Sequence, residues 1–215
     1  MTHAAYNQVR QFNRTFRNQE PRPSMCKLAY DAEERMRLGL MAEEVCELVD
    51  ACAANSLDGT IDALADIVYV SYGFLQYFGY RPDFNLFQMR LFKDDSGNFV
   101  DAYILIQEEL VRCTSAYCTG LEVTLCDSVY GMIRLAYVAA ASLGFDLSVA
   151  ISEVHRSNMT KLGEDGKPIY REDGKILKSD LYEPPNLAGV LHYKADDPLY
   201  PLTYAWHYSN YSEVL

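Results

Sequence analysis

The chain is poor in positive charge. Its 215 residues hold 19 lysines and arginines against 30 aspartates and glutamates, a formal net charge of −11. Phosphate backbones require a basic surface, so non-specific nucleic-acid binding is excluded as the main activity. Any chemistry on phosphates would need metal ions and a local basic patch to offset that charge. Long apolar runs are also missing: no stretch approaches the length needed to span a membrane, and a membrane partner is not expected. The first 17 residues carry Arg10, Arg14 and Arg17 among Asn and Gln and lack the apolar centre of a signal peptide, which points to a cytoplasmic setting. The six cysteines form no CxxC pair and most fall at apolar positions of predicted helices. They read as reduced core residues, which argues against zinc or disulfide roles.

What remains is the composition of a globular protein, 49% hydrophobic and 23% charged, long enough for one sizeable core without staples. Its organising stretch is residues 41–48, with Glu43, Glu44 and Glu47, followed about one helix later by Asp62 and Asp66. On a helix, residues three or four apart share a stripe, so each segment projects at least two carboxylates from one side. Like charges at these spacings destabilise an isolated helix, and here they interrupt apolar surface formed by Leu38, Leu40, Met41, Val45, Leu48, Leu64, Ile67 and Val68. A cation between the two stripes resolves that conflict. Carboxylates in this number, without His or Cys converging on them, suit a hard divalent ion such as Mg2+ or Mn2+. The plainer alternative is a solvated acidic face.

Periodicity and breaks predict an all-α chain. A first helix is expected over about 4–18, capped by Thr2, with Val9, Phe12 and Phe16 on one stripe. After the break at Pro21 and Pro23, a long helix over 27–55 carries the glutamates. Thr60 is the expected N-cap of a third helix over 61–78 that ends at Gly79. A short helix over 82–92 and a loop over 94–98 follow, then two more helices over 100–117 and 122–143.

Sliding the sequence by 65 places puts Glu108 and Glu109 on Glu43 and Glu44, Asp127 on Asp62, Tyr137 on Tyr72 and Gly144 on Gly79. This pattern is expected of an internal duplication, although helical proteins share apolar periodicity by default. Arg112 stands where the first copy has Glu47, and Gly131 where it has Asp66, so one metal site per chain is expected. The chain then reads as a single all-α domain over 1–215, made of a catalytic helical half (26–93), a degenerate second half (100–161) and a C-terminal extension (162–215).

In that extension, two Asp-Gly-Lys turns flank Ile169-Tyr170 and Ile176-Leu177, which are spaced to pair as a small hairpin. Residues 155–178 hold Arg156, Lys161, Lys167, Arg171, Lys175 and Lys178, the densest basic stretch in the chain. They are the candidate phosphate contacts, with solvated, solubilising lysines as the alternative. The Tyr-rich end from Leu191, with the single Trp206, would cover an apolar face or mediate association.

At these residues the chain resembles the all-α nucleoside triphosphate pyrophosphohydrolase superfamily, which includes MazG, the dimeric dUTPases, dCTP pyrophosphatase and phosphoribosyl-ATP pyrophosphohydrolase. Glu43-Glu44-x-x-Glu47 matches the EExxE motif of that superfamily. Asp62 to Val70, then Tyr72-Gly73, together with His155 to Lys161 and the Asp-Gly-Lys repeats, are most similar to the phosphoribosyl-ATP pyrophosphohydrolase branch. The resemblance covers about 38–185. One departure is Ala63, which stands where the family's ExxD has its first acid, so Asp62 would supply that ligand from one position earlier. The other is the additional repeat, which resembles the fused halves of the dimeric dUTPases.

The resemblance implies a MazG-like helical bundle and attack of water on the α-phosphorus of a nucleoside triphosphate. Two Mg2+ ions would be held by Glu44, Glu47, Asp62 and Asp66. Glu43, turned about 100 degrees from its neighbour, is the candidate general base. Asn158 would recognise sugar or base, and Lys161, Lys175 and Lys178 would hold phosphates. The expected partners are the nucleotide and further copies of the chain in a homo-oligomer. Phosphoribosyl-ATP hydrolysis and a non-catalytic metal-binding helical module are the rival readings. If the acidic cluster of one half and the 155–161 segment of the other belong to one site, that site is composite between halves.

Overall fold

The computed structural model describes residues 2–80 and 98–192; the expected helix over 82–92, most of the 94–98 loop and the end of the chain from 193 lie outside them. Seven helices are found among the described residues: α1 (Thr2–Arg17), α2 (Ala32–Ala53), α3 (Leu57–Phe78), α4 (Phe99–Thr119), α5 (Glu122–Ser142), α6 (Leu147–Met159) and the short α7 (Leu187–Leu191). The architecture of the described residues is an all-α bundle, as expected.

Helix α3 is the centre: 17 of its 22 residues are buried, so it is wrapped on nearly every side. It packs on α2, α5, α6 and α1, while α4 and α5 form a second hairpin against it. Tyr72, Phe74, Phe78, Ile61, Leu64 and Ile67 are fully buried there, each such side chain contributing about 1.5–3 kcal/mol of hydrophobic burial. Helix α5 is long and apolar enough to cross a membrane by length and composition, which the sequence reading did not anticipate. Its apolar residues Leu125, Val129, Met132, Ile133 and Ala136 are spent instead on the core shared with α3 and α4.

Three helix starts differ from expectation: α1 already includes Thr2, its expected cap, while α2 begins later than expected and α3 earlier. Helix α2 begins after Asp31, whose side chain accepts from Glu34 N, while the fully buried Glu34 carboxylate accepts from Ala29 N and Tyr30 N. Asp31 thus caps α2, and Glu34 ties the two residues before the cap to the first turn. Helix α3 starts after Ser56, which accepts from Gly59 N; Thr60 lies inside the first turn and returns its hydroxyl to Ser56 O. The expected end holds, since Gly79 closes α3 in the left-handed region at φ 70°. Cysteine placement differs as well: Cys113 and Cys126 are buried, but Cys46 and Cys118 are exposed.

The 65-residue shift carries 57–78 onto 122–143, against Glu122–Ser142 for α5, and 32–53 onto 97–118, against Phe99–Thr119 for α4. Gly144, the counterpart of Gly79, also has a positive φ, 85°. After α6 the chain runs as a strap. Leu162 pairs with Pro168 and Tyr170 with Ile176 in single antiparallel bridges, the second falling within the expected hairpin. Both Asp-Gly-Lys turns close identically, with Asp165 accepting from Lys167 N and Asp173 from Lys175 N. The strap is fastened by the Tyr170 hydroxyl, which donates to Phe16 O, by Ser179 to Leu162 O at 2.7 Å and by Ser157 to Glu183 O at 2.7 Å.

Candidate active site

The strap and α6 bring the second part of the chain onto the acidic faces of α2 and α3. A cavity of about 120 Å3 is lined by Glu44 of α2, Asp66 and Tyr69 of α3, Asn158 and Lys161 at the end of α6, Lys175 of the strap, and Phe12 and Arg17 of α1. Glu43 is exposed beside it, its two carboxylate oxygens 2.5 and 2.6 Å from Lys175 Nζ. Glu47 lies on the exposed rim, where its charge acts on Glu44, Asp62 and Asp66. Lys178 and Lys161 both face Asp62 and Asp66 and flank the Tyr182 ring, at 4.6 and 5.9 Å from its centroid. All nine residues singled out from sequence are therefore gathered in one region, and Asn158 and Lys161 do reach the carboxylates of the other half.

The electrostatics are those of a strained anion cluster. Burial first, and Asp66, Glu47 and Glu43 second, raise the pKa of Glu44. Burial with Asp58 and Glu47 raises Asp62, and burial with Asp62 raises Asp66. Lys161 is pulled down by its own burial, against the opposing field of Asp66. Among the described residues no three carboxylate, imidazole or thiolate groups already meet at one ligating point, and lysine ammonium groups supply the counter-charge. Even so, Asp62 Oδ1 is buried without a hydrogen-bond acceptor role. A buried carboxylate oxygen lacking a donor, in an all-oxygen set of like charges, fits a hard divalent cation.

Sequence reasoning missed the contribution of α1. Phe12 stacks on Phe16 with centroids 4.4 Å apart and meets Tyr69 edge-on at 5.6 Å, forming an aromatic wall. Tyr69 is oriented by His155, whose Nδ1 lies 2.8 Å from its hydroxyl. The Arg17 side chain is only 12% exposed and stands 3.7 Å from Glu33, a carboxylate already bound at 2.8 Å by Arg37. A signal for it existed: Val9, Asn13 and Arg17 are four apart, and the first two are buried, so Arg17 had to face inward.

The sequence model of the phosphoribosyl-ATP pyrophosphohydrolase family matches residues 9–87. Residues 9–87 are thus similar to that family, while the rest of the chain lies outside the match. Over a longer span the chain is 29% identical, across 239 aligned positions, to an uncharacterized protein of Acanthamoeba polyphaga mimivirus, an alignment covering 86% of this chain and 95% of that one. No solved structure matches it. The matched segment supplies the second half of α1, α2, α3 and all five acidic site residues. Asn158, Lys161, Lys175 and Lys178 come from outside it.

The second hairpin lacks the pyrophosphohydrolase cluster for a visible reason. Glu109, in the place of Glu44, rests against Gly131, in the place of Asp66, and is bound at 3.0 Å by Arg112, in the place of Glu47. Asp127 accepts from the Tyr80 hydroxyl at 2.7 Å. Asp127 and one oxygen of Glu109 are answered within the protein, and Glu109 Oε2 is buried without a hydrogen-bond partner among the described residues, whereas the carboxylates of the first hairpin also repel one another.

Proposed function

We propose that the chain is a Mg2+-dependent nucleoside triphosphate pyrophosphohydrolase, with Mn2+ able to substitute, acting at one composite site. The observation that supports this most is the meeting of Glu44 and Asp66 with Asn158, Lys161 and Lys175 around one cavity, carboxylates from one part of the chain and phosphate-binding groups from another. Glu44, Glu47, Asp62 and Asp66 would hold the ion; when bound, it neutralises the triphosphate and polarises its phosphoryl oxygens. Glu43 accepts the proton of the attacking water, and Lys175 fixes the direction of that carboxylate. The water oxygen bonds to the α-phosphorus, the bond from that phosphorus to the α,β-bridging oxygen breaks, and monophosphate and pyrophosphate leave. Lys161 and Lys178 take phosphate oxygens that compete with Asp66 and Asp62 for them. Asn158, beside Tyr69 at the aromatic wall, binds sugar or base.

Phosphoribosyl-ATP is the second substrate reading, favoured by the family whose sequence model matches. One panel tests both: pyrophosphate release from ribo- and deoxynucleoside triphosphates and from phosphoribosyl-ATP, with and without Mg2+. Release from one class that Glu44→Gln abolishes is the expected result. No release from any of them would end the hydrolase reading and leave a metal-binding helical module.

A further inference from the structure

We propose that a groove adjoining the carboxylate cavity, on the outer side of Lys175, is the nucleobase subsite, receiving the base while the sugar lies within reach of Asn158 and the phosphates lie past Lys175 toward Glu44 and Asp66. This rests on the hydrolase reading above and adds to it where the uncharged end of the substrate goes.

Size is the first argument. Small-molecule sites run to about 300–1,000 Å3. The carboxylate cavity, at about 120 Å3, is too small for a whole nucleotide, and the adjoining groove, at about 450 Å3, is within that range. Leu40 and Lys175 line both, so the two spaces adjoin at Lys175, whose ammonium holds Glu43.

The lining decides which end of a nucleotide fits. Ala32, Met36, Gly39 and Glu43 follow one another at helical spacing along one stripe of α2, giving an uncharged floor that leads to the candidate base. The second strap turn forms the opposite wall. Of the cations lining the groove, Arg171 grips Asp173, with Nε 2.9 Å from Oδ1, and Lys175 holds Glu43, while Arg35 of α2 donates to Tyr30 O. Two of its three cations are thus paired with carboxylates, and the Ala32, Met36, Gly39 and Leu40 side of the groove offers an uncharged surface to an aromatic ring, including the adaptable thioether of Met36.

Gly39 is the distinctive element. It sits in the interior of α2, where glycine is disfavoured relative to alanine, yet a Cβ there would meet no atom within 4 Å. No tight packing within the protein requires a glycine at this position. Its absent side chain leaves the groove floor open.

The same feature supplies the test. Gly39→Trp fills the groove from a position with room for it, and Gly39→Ala controls for helix propensity; melting curves verify that both fold. Turnover of the best nucleotide from the panel, and calorimetric binding of its α,β-methylene analogue and of inorganic tripolyphosphate, are measured on each. Gly39→Trp should raise KM and the analogue Kd by at least about tenfold while kcat, and the Kd of tripolyphosphate, change by less than about threefold. Gly39→Ala, which adds a single methyl to the floor, should move KM and the analogue Kd in the same direction by a smaller factor than Gly39→Trp. The proposal is overturned if Gly39→Trp binds the analogue as the parent does, if it weakens tripolyphosphate equally, or if the parent does not bind the analogue. Absence of turnover with intact analogue binding would instead sink the hydrolase reading, and the calorimetric comparison would still decide the groove.

Discussion

The Glu109 carboxylate lies on the bare Cα of Gly131: a Cβ there would stand 2.9 Å from its Cδ and Oε1. The second hairpin has thus closed over the space that Asp66 occupies in the first, and Arg112 neutralises what remains. Gly131→Asp should therefore fail to rebuild a site. It forces a second carboxylate onto a largely buried one, and thermal melting should show destabilisation of about 2–4 kcal/mol.

The same asymmetry predicts which acids matter. Glu47→Ala or Asp66→Ala should abolish Mg2+-dependent pyrophosphate release and Mg2+ binding by calorimetry. Glu108→Ala, on the exposed face of α4, should leave both within about twofold. Equal loss at Glu108 would mean that both hairpins carry sites.

A structural prediction concerns the start of α2. Glu34 is fully buried and accepts from Ala29 N at 2.9 Å and from Tyr30 N at 2.6 Å, while Asp31 accepts from Glu34 N and from the Tyr77 hydroxyl at 3.1 Å. Asp31→Ala should cost about 1–2 kcal/mol in denaturant unfolding. Glu34→Ala should cost more, since it strands two backbone donors.

Much of this was legible in the sequence, for physical reasons. Helix ends marked by glycine appear where Gly79 and Gly144 stand, because only a left-handed residue without a Cβ penalty closes a helix cheaply there. The acidic positions were legible because charges on an apolar stripe need an explanation. Helix starts were less so, because Asp31 and Ser56 compete with neighbouring polar residues as caps, and the winner depends on which backbone amides the fold exposes. Phe12 and Arg17 were missed because an aromatic on an apolar stripe looks the same whether it packs in a core or walls a cavity. The groove beside Gly39 was invisible, since a glycine in a helix carries no mark of what lies over it.

The acidic cluster predicts an inverted pH dependence of stability in the metal-free protein. Glu44, Asp62 and Asp66 are all raised in the folded state, mainly by burial, so the native chain binds more protons than the unfolded one. The stabilisation from that excess is fully present below the ordinary carboxylate range and is lost as pH rises through the raised folded values. Asp31 and Glu153, which are lowered, are ionised in both states above about pH 5.5 and do not oppose the trend there; His155, lowered by burial, does oppose it as pH rises through the ordinary imidazole range, one group against three raised carboxyls. With EDTA present, unfolding free energy should fall by more than about 1 kcal/mol between about pH 5.5 and 8. Mg2+ at the higher pH should restore it. A flat profile would mean that the lysines alone satisfy the cluster.

Lys175 is predicted to act in two ways, which a double-mutant cycle separates. Its side chain is 28% exposed and that of Glu43 45%, so the ion pair contributes at most about 1 kcal/mol to stability and Lys175→Met should fold normally. If Lys175 only orients Glu43, adding Lys175→Met to Glu43→Gln should change nothing further, because the carboxylate it orients is already gone. If it also contacts the phosphates passing between the two spaces it lines, the double variant should lose about another tenfold in kcat/KM, mainly through KM. The position of Lys175 on both linings makes the second outcome the expected one. Steady-state kinetics on the two single variants and the double decide it: a double variant indistinguishable from Glu43→Gln would confine Lys175 to positioning Glu43.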